Sequence, residues 1–132
     1  MKLPAIKPAL GLLLLRLSVG LTMAVAHGYP KMMKLFSGEH GFPDPLGIGS
    51  LPSLALAVFA EVVCGALIAV GAFTRLAVVP FAITMAVAMF IVHGDDPWSK
   101  KEMAFLYLLP SIALFFTGPG EWSIDHWRAS KK

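Results

Sequence analysis

"LALAVFAEVVCGALIAVGAF", residues 54–73, holds a single charge, Glu61. A run this long and apolar is either the centre of a large soluble core or a helix crossing a bilayer, which takes about 20 residues. Composition decides between them. Of 132 residues, 57% are hydrophobic and 14% charged; an ordinary soluble domain has about 45–50% and about 25%. So few charges cannot cover so much apolar surface. The length suits one small domain, and the chain reads as a single integral membrane domain over residues 1–132.

Four apolar segments emerge, at about 9–27, 51–73, 76–93 and 101–118. The expected fold is an all-α membrane protein, a four-transmembrane-helix up-down bundle. The last segment carries Pro110, tolerated in membrane helices when neighbours satisfy the freed carbonyl. A tight "FTR" turn makes the second and third spans antiparallel neighbours. The connection "HGDDPWSKKE" is polar. The first connection is long. Lys31 and Lys34 alternate there with Met32, Met33, Leu35 and Phe36, which predicts a short amphipathic interfacial helix after the first span. An irregular stretch with Pro43 and Pro45 follows.

The basic, then apolar, start resembles a signal peptide, but Arg16 interrupts the run and Pro8 stands where it would begin. Orientation follows the Lys/Arg distribution. One side has Lys2, Lys7, Arg75, Arg128, Lys131 and Lys132. The other has Lys31, Lys34, Lys100 and Lys101, beside Glu39, Asp44, Asp95, Asp96 and Glu102. Both termini are therefore expected in the cytoplasm, with the protein in a bacterial inner membrane. Trp98 and Trp122 fit interfacial anchors at opposite ends of the last span. A net charge of +3, divided between two sides, gives no support to nucleic-acid binding.

Glu61 needs a partner or a proton, because an ionised carboxylate inside a span costs about 2.5–3.5 kcal/mol on insertion scales. Arg16, in the first span, is the evident candidate, with a depth mismatch of about 5 Å. Arg16 and Glu61 are read as a buried charge pair and a candidate ligand or proton site. Ala57, Ala60, Cys64 and Gly65 surround Glu61, and small residues let helices approach closely. Glu61 therefore faces the bundle interior. His27 and His93 end the first and third spans, which run parallel, so both lie at one depth near the outer surface. With Tyr107 and Lys31 they form a candidate outer pocket.

Three chemistries suit such a pocket. Two His with nearby Met would suit copper, but no tight His or Met spacing supports it, and no metal site is assigned. Bis-His haem is geometrically conceivable. A quinone head group needs hydrogen-bond donors and a proton acceptor, which His, Tyr, Arg and Glu provide. The lone Cys64 excludes an internal disulfide and reads as a packing residue. No Gly-rich phosphate loop marks a flavin or nucleotide site.

The motifs "LLRLSVGL", "HGYPKMMKLF", "FPDPLGIG", "FAEVVCGALIAVGAFTRLA" and "GPGEWSID" run in order through nearly the whole chain. In them the protein resembles the DoxX family of small bacterial four-helix membrane proteins. Some relatives are associated with thiosulfate:quinone oxidoreductase activity, others with membrane oxidoreductase complexes linked to thiol homeostasis. Arg16, His27, Lys31, Glu61 and Arg75 match recurrent family positions, and no catalytic role comes with them. The resemblance implies a membrane component of a quinone-linked oxidoreductase system. The alternative is a non-catalytic scaffold or anchor for a soluble partner. Transport of a small solute is a third reading. Membrane lipid is the partner that composition dictates. A quinone, a soluble redox partner and a homo-oligomer are the candidates beyond it.

Overall fold

The computed structural model describes residues 6–38 and 41–132; Lys2 and Glu39 of the charge count lie outside them. The described residues form helices and no strand. Helix α1 runs Pro8–Ser37, α2 Ser50–Val70 and α3 Thr74–Val92. Each of these three is long and apolar enough to cross a membrane. Helix α4 runs Trp98–Thr117, and its first turn carries Lys100, Lys101 and Glu102. A short α5, Ile124–Ala129, closes the chain.

Consecutive helices are antiparallel, and α1 also touches α4, so the four long helices close into a bundle. Val19, Met23, Cys64, Ile68, Val78, Phe81, Met85 and Leu114 fill its centre. Leu10, Leu14, Leu76, Ile83 and Leu106 stay exposed on its outside. That inversion of the soluble pattern is what a hydrocarbon solvent permits.

Helix α1 does not stop at His27-Gly28. It continues through Tyr29–Ser37 as one helix of 30 residues, about 45 Å long at 1.5 Å per residue. The amphipathic stretch is thus an extension of the first helix and not a separate element after it. Its Gly28 is not a breaker, because it is used for packing. Three stretches wind with i→i+5 bonds as π turns: Met23–Gly28, Phe59–Cys64 and Ala88–Val92. Such insertions are rare and concentrate at functional sites. His27 lies in the first, Glu61 in the second, and His93 follows the third.

Small residues set the α1–α2 distance. A Cβ on Gly20 would collide with Gly65 O and come within 2.7 Å of Ala69 N. Gly65 would meet Gly20 O at 3.0 Å in return. The same register places Arg16 opposite the end of α2. Arg16 is fully buried, and its Nη1 donates to Ala69 O at 3.1 Å, its Nη2 to Trp122 O at 2.5 Å.

The α2–α3 turn needs a left-handed Gly71 (φ 71°) and, unusually, a left-handed Phe73 (φ 48°). Helix α5 holds that turn. Asp125 accepts from Phe73 N at 2.8 Å, Thr74 N at 2.9 Å and Thr74 Oγ1 at 2.8 Å. Its own N–H donates to Gly71 O at 2.8 Å. Asp125 therefore caps α3 from another helix, supplying the acceptor that the first-turn N–H groups lack. The Arg128 guanidinium lies 4.6 Å from the Phe73 ring centre.

Two outcomes follow from this end of the bundle. Gly20→Val should lower stability by about 1–3 kcal/mol through overpacking, read as a lower thermal midpoint in detergent. Burial pushes the Asp125 carboxyl up, but the hydrogen bonds from Thr74 and Phe73 outweigh it and hold it below the ordinary carboxylate value. Its contribution is therefore present above the ordinary carboxylate range and is lost as pH falls through the depressed value. Asp125→Ala should cost about 1–2 kcal/mol at neutral pH, as loss of a helix cap does, and the gap to wild type should close in acid. Equal stability at neutral pH would show that the cap contributes nothing.

Candidate functional site

Helix α1 reaches Glu61 because Gly28 has no side chain. A Cβ there would stand 2.7 Å from Val62 Cγ2 and 3.0 Å from Glu61 Cβ. Lys31 lies three residues further on, the spacing that shares a helix face. Its Nζ donates to both Glu61 oxygens, at 2.8 and 2.7 Å. The Glu61 side chain is 6% exposed and that of Lys31 29%. The carboxylate in the apolar run is thus neutralised by a lysine.

This corrects the expected pairing of Arg16 with Glu61. Arg16 binds the backbone at Ala69, about two turns, or ~12 Å, further along α2. Helix α1 begins well beyond the end of α2, and the segment 118–129 covers the overhang. Gly120 packs against Leu12, and Trp122 O takes the Arg16 proton. Counting inward from each segment's end puts the two charges within about 5 Å of each other in depth, which the overhang invalidates.

Two cavities meet at the Lys31–Glu61 pair. The larger, about 520 Å³, lies between α2 and α3. Leu56, Phe59, Pro80, Ile83 and Val87 make it apolar, and Leu56, Phe59 and Ile83 are exposed on the bundle exterior. The loop 42–48 closes its end with Phe42, Pro43, Pro45 and Leu46. Asp44 shapes that loop by accepting from Ile48 N and Gly49 N, both at 2.9 Å, and from Ser53 Oγ at 3.0 Å. The Gly49 bond, joined by those of Ser53 and Ile48, holds the Asp44 carboxyl below its ordinary value against the opposing effect of desolvation.

The smaller cavity, about 220 Å³, lies among α1, α3 and α4. His27, Lys31, Glu61, His93, Lys100 and Tyr107 line it. Lys31, Glu61, Ala88 and His93 belong to both cavities. Five of the six residues singled out from the sequence therefore converge here, and Arg16 does not. His27 meets Tyr107 edge-on, ring centres 5.9 Å apart. His93 Nδ1 lies 2.7 Å from Asp96 Oδ2. Cys64 is buried in the core. Among the described residues, no three His, Cys, Asp or Glu side chains group as a metal site.

The DoxX family model matches residues 11–94. The chain belongs to the DoxX family. It is a membrane protein. An uncharacterized membrane protein of Mycobacterium tuberculosis is 33% identical, over 89% of this chain and 80% of its own. A Bacillus subtilis protein named "Putative oxidoreductase CatD" is 35% identical, over 88% of this chain and 85% of its own. No solved structure matches. The DoxX match takes in Arg16, His27, Lys31, Glu61 and His93, and leaves Asp96, Lys100 and Tyr107 beyond its end.

Sequence reasoning missed Asp96 as the His93 partner, Lys100 at the cavity edge and the loop 42–48 as a wall. Asp96 follows His93 by three residues, which was the available signal. The "FPDPLGIG" motif signalled the loop without its destination.

The ion pair makes a sharp expectation. Glu61→Gln or Lys31→Met should each destabilise the bundle, by about 1–3 kcal/mol, because one charge is left unpaired in a partly buried site. The double variant should recover part of that loss. In a double-mutant cycle, Arg16→Gln and Glu61→Gln should add without coupling. Coupling between Arg16 and Glu61, with none between Lys31 and Glu61, would overturn the assignment.

Proposed function

We propose that this protein is the quinone-binding membrane component of an oxidoreductase system. In this reading it crosses a bacterial inner membrane four times, with both termini cytoplasmic. Helix α4 is the fourth span, and Tyr29–Ser37 lies at the outer interface. One observation carries the functional reading: an apolar cavity at the lipid-facing side of α2 and α3 shares its polar wall with an interior cavity. A quinone is an apolar tail with a ring carrying two hydrogen-bond acceptors. The tail suits the wall of Leu56, Phe59 and Ile83. The ring carbonyls suit Lys31 and His93.

Lysine carries three N–H donors, and Glu61 takes two of them. The third is left for a carbonyl oxygen. The pair is nearly neutral as a unit, so a neutral ligand meets no net charge. The name of the Bacillus subtilis relative agrees with redox chemistry. The chain's own residues bind, orient and protonate in this scheme, and the electrons come from a partner protein.

Protein purified gently from its membrane should carry quinone, detected by mass spectrometry of the extracted lipids. Ile83→Trp, which fills the apolar cavity, should reduce retention about tenfold, equivalent to about 1.4 kcal/mol of lost binding. Leu106→Ala, on an exposed face of α4, should leave it unchanged. Absence of quinone from the wild type, or equal retention in both variants, would overturn the reading. Reporter fusions at Phe42 and after Lys132 check the topology; a periplasmic signal from the C-terminal fusion would reverse it.

A further inference from the structure

Among the described residues, His93 is the one imidazole that lines both cavities. It follows the last turn of α3, where the helix has ended and the backbone turns toward α4. Its Nδ1 is held by the Asp96 carboxylate at 2.7 Å. Both side chains are 36% exposed, and His93 lines both cavities. The turn is fixed independently. Asp96 N donates to His93 O at 3.0 Å, and Lys101 Nζ donates to Gly94 O at 2.7 Å. A carboxylate on one ring nitrogen fixes the tautomer and orientation and leaves the other nitrogen free for chemistry. The hydrogen bond from His93, with the nearby Lys100 and Lys101 charges, keeps the Asp96 carboxyl below its ordinary value.

Building on the quinone reading above, we infer that Asp96 positions His93 so that Nε2 carries protons between the smaller, water-facing cavity and a quinone ring in the larger one. Reduction of a quinone to a quinol takes two electrons and two protons. The electrons come from a soluble two-electron donor protein. One proton passes from His93 Nε2–H to the ring oxygen it meets, and the imidazole is reprotonated from water through the smaller cavity; the other ring oxygen takes its proton from water. The groups facing His93 and able to shift its behaviour are Lys31 and His27 from α1, Glu61 from α2, and Lys100 and Tyr107 from α4. Asp96 faces it from its own turn. Lys31 and Glu61 hold each other and so change little, while Asp96 is the counter-charge in direct contact. His93 acts on the reacting atoms; Asp96 is a positioning residue.

The test uses full-length protein in detergent, loaded with a short-chain benzoquinone analogue. Dithionite is the reductant, and absorbance reports both bound quinone and its rate of reduction. Wild type should bind the analogue and reduce it faster at low pH, the rate falling as pH rises. His93→Gln should bind the analogue more weakly and, at saturating analogue, lose that pH dependence, with a loss of rate on the order of a hundredfold at low pH. Asp96→Asn should also retain it, but its rate should lie well below that of wild type, since the ring is no longer held by a carboxylate in its reactive orientation and tautomer. Asp96→Glu should restore the wild-type profile. Because Asp96 lies on a partly exposed turn, its two variants provide the comparison even if His93→Gln folds poorly. Bound analogue reduced by Asp96→Asn at the wild-type rate would overturn the relay while leaving the quinone site standing. Failure of the wild type to bind the analogue would overturn both.

Discussion

A carboxylate sealed in an apolar helix has to be neutralised at contact distance, and here that requirement organises the molecule. Glu61 is met by Lys31 at 2.7–2.8 Å. The lysine gets there only because Gly28 lets α1 lie against α2, and the Gly20–Gly65 contact sets the same register one segment further on. Removing one charge would strand the other in a low-dielectric interior, so the pair also locks the crossing that brings it together. In lipid, where burying apolar surface between helices gains little, close packing and such polar contacts carry the association.

The two ends of the bundle divide the work. At the end bearing the chain termini, polar groups are spent on structure. Arg16 closes onto the carbonyls of Ala69 and Trp122, Asp125 caps α3, and Arg75 Nε donates to Phe115 O at 3.0 Å. At the other end, polar groups stay around cavities: His27, Lys31, Glu61, His93 and Tyr107. The π turns fit this division. Each adds a residue to its helix turn at the height of the cavities, which displaces side chains from a regular ladder.

Much of the site was legible because its residue types are anomalous for their surroundings. A glutamate in a twenty-residue apolar run and two histidines ending parallel segments have few uses other than an interior polar site. The convergence of His27, His93 and Tyr107 follows from helix direction alone. The partner of Glu61 did not follow. Arg16 and Lys31 both lie on α1 and both carry a positive charge; choosing between them needs the axial offset of α1 against α2. That offset is decided by Gly20, Gly28 and Gly65, whose effect depends on what each glycine faces. Asp96 was visible as a charge near His93, but its contact depends on the turn after α3.

The sequence by itself determined the solvent, the antiparallel order of the helices and the need of Glu61 for a counter-charge. These depend on hydropathy, length and connection size, which are properties of single segments. Tertiary structure alone decided that α1 runs unbroken to Ser37, that Lys31 and not Arg16 meets Glu61, and that two cavities share one wall. Those depend on relative shifts and rotations between helices. A shift of two turns leaves every segment equally apolar, yet it moves a charge ~12 Å and exchanges one partner for another.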